Sequence, residues 1–288
     1  MSIATTVLRQ LSTEGGTQPR LTWYGADDER VELSGRVLAN WVTKAANLLT
    51  EEADISPGSR VLLDMPIHWR ATVWALATWT AGGEVVLAGT IDDEADDEVD
   101  PFDPYEPEED LADDELEDDD EEEDESFVAD ITEDEIDVVV SAGAMDAPSA
   151  GLILAVALPA LAMRVDEAIP AGAMDASAAL MTYGDDLGPV AEPRPEDRAL
   201  SGPDVVGLGT STDVTYADLA AWSVRQMPAA HRDEAGARIL CRPGSLDQLL
   251  GHALAAWQTG GSVVLVAEDV PHASLEEIAA AERAVIRC

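Results

Sequence analysis

The chain has 288 residues, 46% of them hydrophobic, which is enough for one large domain or two small ones with a buried core. Its formal charge of −43 at pH 7 creates a field that repels phosphate backbones and anionic membranes, so neither nucleic acid nor a membrane surface is expected as a partner. Two cysteines, Cys241 and Cys288, are too few for a disulfide framework or a zinc site, and no basic-then-apolar leader opens the sequence. A reduced, cytoplasmic protein is the expectation.

Thr5 to Leu11 has apolar residues at helical spacing and reads as a short amphipathic helix. LTWYG (21–25) and RVELS (30–34), separated by Ala26-Asp27-Asp28, read as a β-hairpin. Ser34 then caps a helix whose buried stripe is Val37, Leu38, Trp41, Ala45, Leu48 and Leu49, with Arg36, Asn40 and Lys44 on the opposite face. Ser56-Pro57-Gly58 supplies a turn.

The next thirty residues, 60–89, recur at 238–267. Each copy opens with an Arg (Arg60, Arg238) and a short apolar run. Sixteen residues on comes Leu-Ala-x-Trp, from Leu76 and from Leu254. Gly82-Gly83 or Gly260-Gly261 follows, and then Val-Val-Leu. A short run, about four helical turns and a β-branched run specify strand, helix, strand, a βαβ unit made twice. The glycines mark the sharp return from helix to strand.

Residues 92–137 hold 29 of the 59 acidic residues and no Lys or Arg. Self-repulsion and scarce apolar surface predict a disordered acidic insertion over 92–136, between domain segments 1–91 and 137–288. It reads as a solvating loop, an adaptation to salt, or a docking arm for a basic protein partner. Beyond it, IDVVVSAG (136–143) and GLILAVAL (151–158) read as buried strands. The apolar stretch Gly151 to Met163, broken by Pro159, is too short to span a bilayer. AMDA at 144–147 and 173–176 is a minor repeat, residues 184–203 look like a surface loop, and Asp204 to Leu208 reads as a strand. Thr215-x-x-Asp218, Ser245-x-x-Gln248 and Ser274-x-x-Glu277 are capping-box signals for three later helices. Strand and helix alternate, so the fold class is α/β, with mainly parallel sheets flanked by helices.

Several residues invite a functional reading and are better explained as structure. His68, His231, His252 and His272 include no metal-spaced pair and read as surface or partly buried histidines. Ser141 and Ser211 lack a nucleophile-elbow frame, and Gly207-x-Gly209 lacks the remainder of a dinucleotide loop. The Trp residues fall mostly at helical spacing and read as core, as does Cys241 at a strand end.

Arg36-x-x-Ala39-Asn40, Ala46-Asn47-Leu48-Leu49, Pro57-Gly58-Ser59-Arg60-Val61-Leu62-Leu63, Pro66, Ala81-Gly82-Gly83 and Val85-Val86 together resemble the opening of the adenylate-forming superfamily, which includes the acyl-CoA synthetases. More closely, the chain resembles short actinobacterial proteins of unknown function that keep the N-terminal part of that fold. The resemblance implies a phosphate loop of the type T-S-G-S/T-T-G-x-P-K-G ahead of the helix that begins near Thr215. In its place stand Gly207, Leu208, Gly209, Thr210, Ser211, Thr212, Asp213 and Val214. Gly207, Gly209, Thr210, Ser211 and Thr212 are its vestigial candidates; the Pro-Lys-Gly is missing, and Lys44 is the one lysine of the whole sequence. These departures imply a non-catalytic protein with a binding or regulatory role and no cofactor. The alternatives are an adenylate-forming enzyme completed by a partner chain, and a scaffold acting through 92–136.

Overall fold

The computed structural model describes residues 1–13, 16–26, 29–88, 136–142, 150–160, 162–166, 168–203, 205–208, 213–228 and 235–286. The acidic insertion (except Ile136), the first AMDA, Ser211, His231 and Cys288 therefore lie outside the described residues.

Helix α1 (Ile3–Thr13) buries Ala4, Val7, Leu8 and Leu11. Strands β1 (Pro19–Tyr24) and β2 (Arg30–Ser34) form the expected antiparallel hairpin. The Ser34 hydroxyl accepts from the Val37 N–H and starts α2 (Gly35–Ala53). That helix departs from the expected single stripe. Val37 is 44% exposed, whereas Ala39, Val42, Thr43, Ala46 and Asn47 are buried too, because α2 packs against both the hairpin and the following helix.

The repeat folds as its spacing predicts. The first copy is β3 (Arg60–Asp64), α3 (Trp69–Ala81) and β4 (Glu84–Leu87); the second is β10 (Arg238–Cys241), α6 (Leu246–Gln258) and β11 (Ser262–Val266). Both strand pairs are parallel, with Arg60 opposite Glu84 and Arg238 opposite Ser262, the same register in each copy. Gly82 and Gly260 take positive φ, 94° and 74°, at equivalent turns. A Cβ on Gly261 would meet the Ala237 carbonyl oxygen at 2.4 Å, so this return admits no side chain.

Each copy builds a different sheet. One sheet runs β12-β10-β11-β1-β2, and the other β7-β6-β5-β3-β4-β8-β9. The additional strands are β5 (Val138–Ser141), β6 (Leu152–Ala155), β7 (Met174–Asp175), β8 (Arg198–Ser201), β9 (Val214–Thr215) and β12 (Val285–Ile286). Among the described residues all pairings are parallel except β1 with β2 and β8 with β9. Helices α3 and α6 touch each other, and α3 buries every one of its residues. Along β11 the faces alternate: Val263 and Leu265 join the main core, while Val264 and Val266 pack under α7 (Leu275–Glu282).

Two expectations fail together. The strand that pairs with β4 is Arg198–Ser201, inside the stretch read as loop, and Val205–Leu208 form no strand. The apolar pair Val205-Val206 misleads, since Gly202 at φ 155° turns the chain, the Val205 N–H returns to the Gly202 carbonyl at 3.1 Å, and Val206 is 61% exposed. Residues 184–188 are a loop, fastened by buried Asn47: its amide donates to the Gly184 and Asp186 carbonyls and accepts from the Gly188 N–H. At Thr215 the Asp218 N–H donates to the hydroxyl at 3.3 Å, ahead of α5 (Leu219–Gln226). Neither Ser245 nor Ser274 makes a side-chain cap bond, although the Gln248 side chain accepts from the Gly244 N–H.

The repeated tryptophan does the same work twice. The Trp79 indole donates to the Ala199 carbonyl of β8 at 2.6 Å, and the Trp257 indole donates to the Arg20 carbonyl of β1 at 2.9 Å. β8 lies beside β4 as β1 lies beside β11. The two opening arginines also match in role, since Arg60 pairs with buried Glu84 and Arg238 with Glu282. Burial alone would raise the Glu282 pKa, but hydrogen bonds from Tyr24, Arg30 and Arg238 outweigh it and hold the carboxyl at about 2.

Two predictions follow from these pairs. Trp79→Phe and Trp257→Phe should each lower unfolding free energy by about 1–3 kcal/mol in urea denaturation, because each leaves a buried carbonyl without its donor. The Glu282 contribution to stability is complete above its ordinary value of 4.5 and is lost as pH falls from there towards about 2. Thermal melts across that window should therefore show a decline that Glu282→Gln flattens.

Candidate functional site

The vestigial phosphate-loop residues belong to the segment joining antiparallel β8 and β9, residues 202–213. Gly207 is buried, and its carbonyl accepts from the Arg225 guanidinium of α5 at 3.5 Å. Gly209, Thr210, Ser211 and Thr212 lie outside the described residues. The one lysine is engaged elsewhere: Lys44 pairs with Asp185 at 2.7 Å and donates to the Tyr183 carbonyl.

A cleft of about 630 Å³ opens at another place, where strands of both sheets end. Its walls come from the carboxyl end of β1 and the residues after it (Trp23, Gly25, Ala26, Glu29), and from beyond the carboxyl ends of β3 (Pro66, Ile67, His68), β6 (Leu158, Pro159) and β11 (Ala267, Glu268, Asp269). The crevice beyond the carboxyl ends of parallel strands is where α/β sheets bind ligands, because the crossovers leave loops free there. Gly207 is not part of its lining.

Helix α3 sets the chemistry of one wall. His68 is its N-cap, and the Nδ1 atom accepts from the Arg70 N–H at 3.3 Å. An imidazole that accepts at Nδ1 carries its proton at Nε2. Burial, with the Arg70 charge adding to it, pushes the His68 pKa down to about 3, so the ring is neutral. It packs edge-on against Trp23 with centroids 5.0 Å apart. The Glu29 carboxylate accepts from the Trp23 indole at 3.0 Å and from the Ala160 N–H at 2.9 Å. Arg70 is not itself among the lining residues; its guanidinium lies over the Trp69 and Trp41 rings, 4.7 and 5.3 Å from their centroids, and donates to the Pro159 carbonyl. Burial lowers the Arg70 pKa to about 10, opposed by the Glu29 charge.

Among the described residues the lining thus contains three carboxylates, Glu29, Glu268 and Asp269, and neither Lys nor Arg. Sequence reasoning missed all of it. Trp23 is one of the few Trp residues outside helical spacing, and His68 was read as surface or partly buried although it is 5% exposed. His252 is likewise buried, with Nε2 on the Gln226 carbonyl at 3.0 Å. The usable signal was positional: Gly25 directly follows an apolar run, and Pro66 comes just after the first repeat strand. Ser141, at the end of β5, donates to Asp64 at 2.8 Å, and Cys241 is buried in β10. Among the described residues no group of three or more His, Cys, Asp or Glu could hold a metal ion, and no helix is long and apolar enough to cross a membrane.

No family model matches the sequence. The chain is 41% identical over 70 residues to the "TIGR03089 family protein" of Mycobacterium tuberculosis, a stretch covering 24% of this chain and 29% of that protein. In three dimensions it is similar to an acyl-CoA synthetase of Brucella canis, with TM-score 0.69, 15% identity, and coverage of 99% of this chain and 47% of that one. A fatty acyl CoA synthetase of Mycobacterium tuberculosis gives 0.58, 17%, 98% and 48%. The N-terminal domain of FACL13 from the same organism gives 0.56, 17%, 99% and 61%. The chain therefore has the α/β fold of acyl-CoA synthetase N-terminal parts and spans about half the length of those proteins.

The His68 assignment predicts a pH signature. A histidine titrating near 6.5 in the unfolded chain and near 3 in the folded one costs stability progressively as pH falls between those values. Chemical unfolding at pH 7 and pH 5 should show that loss, and His68→Asn, which keeps an acceptor at the cap, should remove most of it.

Proposed function

We propose that this protein is a non-catalytic relative of the adenylate-forming fold that works as a cytoplasmic binding or regulatory module, with the acidic tract 92–136 inserted between β4 and β5. The observation that carries the reading is where the positive charge lies. Transfer of an adenylyl group requires cations against a triphosphate, since its developing charge has to be neutralised in place. Here the single lysine is held by Asp185 and Tyr183, and Arg70 is buried between two tryptophans. The loop joining β8 and β9 carries Asp204 and Asp213 and no basic residue. The described cleft adds three carboxylates, a field that opposes any nucleotide.

A second reading is an enzyme completed by a partner chain that supplies lysines, since the one lysine of this sequence is engaged by Asp185 and Tyr183.

Isothermal titration with ATP, AMP and an acyl-adenylate analogue should show no ATP binding at about millimolar concentration, and incubation with ATP and carboxylic acids should release no pyrophosphate. Sustained pyrophosphate release by the chain alone overturns the reading; release only on addition of a co-purifying protein establishes the second.

A further inference from the structure

The cleft at the strand ends has a chemistry of its own, and it is opposite in sign to what a nucleotide needs. Its volume, about 630 Å³, is that of a small-molecule site. Among the described lining residues, apolar surface comes from Trp23, Ile67, Leu158 and Pro159, and the charged side chains are carboxylates.

Two features make it a built site. The first is Glu29. Both of its oxygens are fixed by N–H donors of the protein, Trp23 Nε1 and the Ala160 backbone, and neither donor is a cation. Each carboxylate oxygen has a second lone pair, so the group is oriented and can accept again, and the one cation shown to act on it is Arg70, through its charge. The second is His68, which is 5% exposed and lines the cavity. Its Nδ1 is occupied by the Arg70 N–H, and its Nε2–H has no partner among the described residues. The Nε2–H is therefore a neutral donor that a ligand oxygen in the cavity can accept from. Trp23, packed edge-on to this ring, adds an indole, the aromatic group that attracts cations best.

We propose that this cleft binds a small organic cation bearing an oxygen acceptor, an amine or quaternary ammonium on a compact apolar body. The ammonium sits towards Glu29, with the exposed Glu268 and Asp269 at the rim adding to the attraction, and the ligand oxygen accepts from His68 Nε2. The apolar body lies along Trp23, Leu158 and Pro159. Anionic ligands are excluded by the same three carboxylates. This assignment rests on the reading of the protein as a binding module.

Calorimetric titration of the full chain at about 0.15 M salt, where long-range attraction to the acidic tract is screened, tests it with two pairs of probes. Choline is compared with its uncharged analogue 3,3-dimethylbutan-1-ol, and tyramine with 4-propylphenol. At least one cation should bind with a stoichiometry near one and about ten-fold or more tighter than its neutral analogue. Glu29→Gln should abolish that preference. Asp269→Asn, at an exposed position that leaves the fold intact, should weaken the cation about two- to five-fold without changing the neutral probe. Glu51→Gln, an equal charge change at an exposed position on α2 away from the cleft, should do nothing. The inference is overturned if neither cation binds up to about 10 mM, if the neutral analogues bind equally well, or if Glu51→Gln weakens binding as much as Asp269→Asn. Absence of cation binding in a protein that is also inert towards ATP sinks this inference alone; pyrophosphate release sinks the functional reading beneath it.

Discussion

Two indole hydrogen bonds hold the arrangement of both sheets. A βαβ unit fixes a helix over its own two strands, but says nothing about which strand comes next. Trp79 and Trp257 decide that, each reaching from the last turn of its helix to a carbonyl on the strand beyond, Ala199 in one sheet and Arg20 in the other. Both acceptors lie one residue before the first parallel partner on β8 and β1, Leu200 and Leu21. The helix therefore ties three strands in register rather than two. The glycine turns beside them are held the same way: the Tyr216 hydroxyl donates to the Gly83 carbonyl at 2.7 Å, and Arg20 donates to the Gly261 carbonyl at 2.9 Å. Different residues fill one role, so the role belongs to the geometry of the return.

Much of this was legible because the repeat is a spacing pattern, and spacing survives substitution. Arg60 and Arg238, the tryptophans and the paired glycines mark one unit whatever lies between them. The β8 strand was illegible for a physical reason. Its four residues, Arg198-Ala199-Leu200-Ser201, have little apolar character of their own, and their place is fixed by partners far away in sequence, β4 and the Trp79 indole. Nearby Val205-Val206 has the stronger local preference, and a turn at Gly202 overrides it. Helix α2 misled in a milder way, since a helix packed on two sides has no single stripe to read.

The cleft was hidden for another reason. Trp23, Glu29, His68 and Leu158 come from four separate stretches and share no motif; only the convergence of strand ends brings them together. Charge was easier to read, but its consequence was local. The scarcity of lysine is visible in the sequence, whereas the engagement of Lys44 by Asp185, and of Arg70 by two indoles, depends on packing. Arginine suits the second role, because its flat, weakly hydrated cation stacks on rings where an ammonium would keep its water.

The tautomer of His68 links the repeat to the cleft. As N-cap of α3 the ring has to present an acceptor to the Arg70 N–H, and a protonated ring would place donor against donor. Helix formation thus demands neutral imidazole with its proton at Nε2, and burial beside Trp23 and Trp69 enforces the same state. The wall of the cleft consequently offers a donor without offering a charge. The helix that fixes this donor is the one whose far end carries Trp79, so the element that sets strand order also sets what one side of the cleft presents to a ligand. Loss of the α3 cap would therefore be felt at both ends, as a loosened sheet and as a cleft whose histidine is free to charge.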